Sequence, residues 1–179
     1  MHPKQFRKFI VKPVLEMIPG SPAVEELMMM TWATESMGGQ VVKQGAKTLY
    51  DGGGVALGVF QHEPATYRDD WANFIHYRPN IFQILNNLSS VKSSFNAPPP
   101  SELIGNLPFA TAMCRVHYLR FNEPVPPREA YTAWDAWITG LACYYKRYWN
   151  TEAGKATVGK AVADYVDFVQ NVEGKNHGF

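Results

Sequence analysis

Cysteine is scarce in this chain: Cys114 and Cys143 are the only two in 179 residues. Two cysteines cannot build the stapled loop framework of a small disulfide-rich domain, and their surroundings read as helix interiors, so both are expected as buried thiols. No apolar run approaches the roughly 20 residues that a membrane-spanning helix requires. An excess of one charge is lacking too, since 17 Lys and Arg face 16 Asp and Glu for a net +1. That balance removes the global basic field by which nucleic-acid binders attract their ligand. Repeats and low-complexity arrays are absent, which excludes a solenoid. The start, Met1-His2-Pro3-Lys4-Gln5-Phe6-Arg7-Lys8, offers neither a signal-peptide apolar region nor a small-residue cleavage site. The histidines show no metal-ligand spacing. His62-Glu63 runs into Pro64-Ala65-Thr66 and lacks the second histidine of a zinc-binding helix, so no metal and no cofactor is expected.

Core material is plentiful. With 46% hydrophobic and 13% aromatic residues, 179 residues suffice to bury one substantial core, and a single domain over 1–179 is the natural reading. Phe6, Phe9, Ile10, Val14 and Met17 recur at helical spacing opposite Lys4, Arg7, Lys8 and Lys12, predicting an amphipathic first helix interrupted near Pro13. Pro19-Gly20 breaks the chain. Ser21 then suits an N-cap with Pro22 in the first turn, and a largely apolar stripe through Val24, Leu27, Met28 and Thr31 leads to Glu35, with Gly38-Gly39 as the stop.

Two short strands over 40–44 and 47–50, turning at Gly45-Ala46, are expected next, followed by the loop Asp51-Gly52-Gly53-Gly54. Further helices are predicted over 64–73, 80–87, 107–120, 128–149 and 157–172. Residues 89–101, rich in Ser, Asn and Pro, read as a surface loop within the domain. The fold class is therefore α+β, mainly α-helical, with a small β-hairpin.

Glu35 carries the most chemical information. A carboxyl group placed where a buried helix opens into a glycine-rich segment is shielded from water, which raises its pKa and keeps a proton on it near neutrality. Such a group is a general acid suited to an acid-labile bond such as a glycosidic one. Gly58 permits close backbone approach, Val59 and Phe60 pack beneath a cleft, and Gln61 offers both a donor and an acceptor. A second carboxylate would decide the mechanism. Asp51, returned toward Glu35 by the hairpin, is the first candidate and Glu63 the second.

Glu35-Ser36, Gly58-Val59-Phe60-Gln61, Pro64 and Thr66 together resemble the ordered motifs of the lytic transglycosylase and goose-type lysozyme superfamily, which cut bacterial peptidoglycan. The match covers about residues 22–70. Asn106, leading into a helix that carries Tyr118, corresponds to a later family element. The resemblance implies a lysozyme-like domain with the hairpin beside its cleft. It implies cleavage of the β-1,4 bond between N-acetylmuramic acid and N-acetylglucosamine, with Glu35 as acid and base and Ser36, Gly58 to Gln61, Glu63, Asn106 and Tyr118 around the substrate. Assistance by the substrate's N-acetyl oxygen and attack by its 6-hydroxyl would give 1,6-anhydro ends. Hydrolysis with a second carboxylate such as Asp51 is the alternative reading, and a noncatalytic virion or peptidoglycan-binding protein is another. Without a signal sequence, such an enzyme is expected in a phage particle, with virion or tail proteins as partners, or in an infected host cell.

Overall fold

The structure is a computed structural model that describes residues 1–42, 56–93, 96–151 and 154–174. It is mainly helical, and among the described residues there is no strand. The expected hairpin and Asp51 fall largely on residues 43–55, outside the described residues. Its first positions, Gln40 to Val42, form a turn and a bend instead. Among the described residues no helix is long and apolar enough to cross a membrane.

The N-terminal helix runs as α1 (Pro3–Phe6), a π turn (Arg7–Val11) and α2 (Lys12–Met17). Pro13 has no N–H to give the carbonyl of Phe9, and the preceding Lys12 N–H reaches back five residues to Arg7. The proline therefore widens the helix where an interruption was expected.

Next comes α3 (Pro22–Ser36), capped by Ser21, whose Oγ accepts from Val24 N at 3.4 Å. From Leu27 to Ala33 every residue is fully buried. A helix apolar on all sides belongs in the middle of a core. Around it lie α7 (Leu107–Leu119), α8 (Trp134–Tyr145) and α9 (Val158–Tyr165). Trp32 stacks on Phe6 with ring centroids 4.8 Å apart, joining α3 to the N-terminal helix. The stop of α3 differs from expectation: Met37 itself takes the left-handed conformation at φ 52°, with Gly38 and Gly39 continuing the turn.

Three shorter helices, α4 (Pro64–Asn73), α5 (Pro79–Leu88) and α6 (Glu102–Gly105), lie between α3 and α7. The expected 128–149 helix begins later. Arg128–Ala130 forms one 3-10 turn and Tyr131 is extended, so α8 starts at Trp134 and ends in a π turn, Lys146–Asn150. After α9 a further π turn, Val166–Gln170, leads to α10 (Asn171–Glu173). Arg7 bonds Glu25, Glu26 and Glu173, tying the two ends of the chain to the start of α3. Cys114 is buried as expected, but Cys143 is exposed because it falls on the outer face of α8.

Candidate active site

The helix α3 leaves the core over its last turn. Ala33 is fully buried and Thr34 nearly so, while Glu35 is half-buried at the edge of a cleft of about 470 Å³. The chain entering α4 supplies Gln61, His62 and Glu63 to this cleft, the end of α8 supplies Tyr145, Trp149 and Asn150, and α9 supplies Lys160.

The Tyr145 hydroxyl donates to Glu35 Oε1 at 2.5 Å. Burial raises the Glu35 pKa to about 7, with the nearby Glu63 charge acting in the same direction. The Tyr145 hydrogen bond, the Lys160 charge and the Asn150 amide oppose this without overcoming it. The carbonyl end of α3 adds a physical reason of its own, because a negative charge at a helix C-terminus is disfavoured. A carboxyl group poised near 7 can give a proton and take one back. Burial, and then the facing Glu35 carboxylate, push the Tyr145 phenol far above its ordinary range, so it stays a donor.

Of the motif and candidate residues singled out in the sequence, Glu35, Gln61, Glu63 and Thr66 meet in this cleft. Gln61 sits at φ 48° with its Nε2 donating to Gly58 O at 2.7 Å, and its Oε1 is buried without a partner. The Thr34 hydroxyl is likewise buried and unpartnered. Such groups are rare in folded proteins.

The remaining expectations take other places. Ser36 Oγ donates to Trp32 O at 2.8 Å and accepts from Gly39 N at 3.0 Å, so it closes α3 rather than facing a ligand. Val59 and Phe60 are core residues. Gly58 is needed for the fold: at φ 73°, a Cβ there would lie 1.9 Å from Leu103 O. Asn106 caps α7 through Phe109 N at 3.1 Å and also donates to Leu88 O at 2.8 Å, away from Glu35. The buried Tyr118 hydroxyl pairs with Thr31 Oγ1 at 2.7 Å. The tyrosine that reaches Glu35 is Tyr145, a residue of α8. Asp51 lies outside the described residues.

Among the described residues, three metal-ligating side chains come together: His62, Asp70 and His117 have ligand atoms within 4.8 Å of one another. All three are buried, and His62 and His117 border the cleft. Burial favours the uncharged Asp70 carboxyl, but His117 and His62 outweigh it and hold the pKa well below the usual carboxylate range.

Compared with protein-family models, curated proteins and solved structures, the chain has no match.

Proposed function

We propose that this protein cleaves the glycan strands of peptidoglycan at the bond between N-acetylmuramic acid and N-acetylglucosamine, with Glu35 as general acid and then base. The observation that carries the reading is the Glu35 carboxyl itself: half-buried at a cleft edge, held by Tyr145 at 2.5 Å and poised at about 7. The motif resemblance of Glu35-Ser36 and Gly58 to Gln61 adds the substrate class.

In this reading Glu35 gives its proton to the glycosidic oxygen, which leaves as the 4-hydroxyl of the departing sugar. The acetamido oxygen of the remaining sugar supports the electron-poor anomeric carbon. The 6-hydroxyl of that sugar then attacks the carbon while the Glu35 carboxylate takes its proton, so a 1,6-anhydro end forms and no water is consumed. Tyr145, by donating to Glu35, steadies the carboxylate between the two proton transfers. Gln61 and Thr34 bring unsatisfied hydrogen-bonding capacity to a sugar rich in hydroxyl and amide groups.

Hydrolysis is the second reading, and the observation that favours it is Glu63. This carboxylate shares the cleft and acts electrostatically on Glu35, so it stands beside Asp51 as a candidate for activating water. A lysozyme-like frame, and a place in a phage particle or an infected host, belong to the same proposal. Mass analysis of products from purified peptidoglycan tests it. Anhydro-muramyl ends support transglycosylation, reducing ends support hydrolysis, and an undigested polymer refutes both in favour of a binding or virion structural role.

A further inference from the structure

His62 ends the turn that follows Gly58, Asp70 lies in α4 and His117 in the last turn of α7, so three separate segments converge beneath the cleft. We infer that His62, Asp70 and His117 form a binding site for a divalent transition-metal ion, zinc or ferrous iron by their donor set. The inference is independent of glycan cleavage.

The hydrogen-bond directions carry it first. His117 Nε2 lies 3.0 Å from the Tyr148 carbonyl oxygen, which only accepts, so that nitrogen carries a proton. In the neutral ring Nδ1 is then a bare lone pair, and it faces Asp70 Oδ1 at 3.2 Å and Oδ2 at 3.3 Å. Two acceptors facing each other require a proton or a cation between them. A ring N–H donated to a backbone carbonyl is also the usual way a ligating histidine is oriented.

His62 adds an independent observation. Its ring is buried, and its Nδ1 has no hydrogen-bond partner. Nε2 stands 3.0 Å from Asp70 Oδ2, so a second buried ring nitrogen faces the same carboxylate. Two buried imidazoles turned on one carboxylate bring three donor atoms to where a single cation would meet them.

Dimensions agree as well. Zinc binds nitrogen and carboxylate oxygen at about 2.0–2.2 Å, and donors at those lengths around a tetrahedron stand roughly 3.3–3.5 Å apart. The separations of 3.0 Å and 3.3 Å from the histidine nitrogens to Asp70 Oδ2 fall near that edge, and the three ligand atoms all lie within 4.8 Å of one another. Arg120 also pairs with Asp70 Oδ1. A ligating carboxylate commonly keeps such an outer partner, and Oδ2 remains for the ion. Two imidazoles and a carboxylate suit zinc, or ferrous iron in a site with open positions. Three protein donors leave a further position for an exogenous ligand.

The competing arrangement has His117 doubly protonated, donating to both Tyr148 O and Asp70 with no ion. Titration of chelator-treated full-length protein with Zn²⁺ separates the two. The expected result is one equivalent bound per chain, a higher melting temperature on loading, and the visible bands of a four- or five-coordinate ion when Co²⁺ replaces zinc. His62→Ala and His117→Gln should each weaken Zn²⁺ binding at least tenfold while His76→Ala, at an exposed histidine, leaves it unchanged. Should either variant fail to fold, the Co²⁺ spectrum of the wild-type protein decides, because imidazole ligation is visible in it. Less than stoichiometric binding by the wild-type protein, or affinity unmoved in both folded variants, would overturn the inference.

Discussion

The Tyr145 hydroxyl donates to Glu35 Oε1 at 2.5 Å, joining residues 110 positions apart in sequence. The bond joins the end of α8 to the exit of α3, and it opposes the burial that raises the Glu35 pKa. Tyr145→Phe keeps the ring and removes the donor. The Glu35 pKa should then rise further, and the alkaline limb of the pH–rate profile should move up by about one unit, the equivalent of one charge-assisted hydrogen bond. The profile of the folded variant checks this, and an unshifted limb would show that the tyrosine does not tune the acid.

Glu35 should also lower stability at high pH. Its pKa of about 7 in the folded chain lies above the ordinary 4.5, so the unfolded chain releases the proton first as pH rises. The contribution of Glu35 to stability is therefore greatest below about pH 4.5 and is lost through the window up to about 7. Above that window Glu35→Gln should be more stable than the parent by about 3 kcal/mol, and near pH 4 the two should converge. Denaturant unfolding at both pH values measures the difference. Equal stability at pH 8 would contradict a buried, penalised carboxylate.

Gly58 and Gly105 separate a glycine that the fold needs from one that it does not. A methyl group at Gly58 would meet Leu103 O at 1.9 Å on a backbone of φ 73°, whereas one at Gly105 meets nothing within 4 Å. Gly58→Ala should cost more than about 2 kcal/mol or prevent folding, and Gly105→Ala should stay within about 0.5 kcal/mol of the parent. Thermal melts of the two variants test the contrast.

Formation of anhydro ends assisted by the substrate's own acetamido group needs Glu35 alone and no second carboxylate such as Asp51. Asp51→Asn should keep most activity and still give anhydro ends. A collapse of activity, with reducing ends from the parent protein, would establish the hydrolytic reading instead.

Helices with strong local signals were legible in the sequence. Ser21 with Pro22 marks the start of α3, and Pro64 opens α4 where expected. The exit of α3 was legible in outline, because the largely apolar run from Leu27 to Ala33 has to emerge from a core somewhere, and Glu35 is the first ionisable residue after it. The stop was misplaced by one residue, since Met37 adopts a left-handed conformation that local preference assigns to glycine. Tyr145 was hidden for a different reason. Its ring belongs to the buried stripe of α8 and only its hydroxyl reaches Glu35, a contact fixed by how α8 crosses α3. Asn106 and Tyr118 carried a motif's order without its geometry, and their polar atoms are taken by a helix cap and by Thr31. The His62, Asp70 and His117 group has no periodic spacing to announce it, because three segments supply it.

The central claim is that Glu35 is the acid that breaks a glycosidic bond, and Glu35→Gln tests it most directly. Wild-type and variant protein, shown to be folded alike by circular dichroism, are incubated with purified peptidoglycan and the released muropeptides are quantified by mass spectrometry. Anhydro-muramyl products are expected from the wild type, with a loss of roughly 10²-fold or more in the variant. Near-wild-type turnover by the folded variant, or no release of products by the wild type, would contradict it.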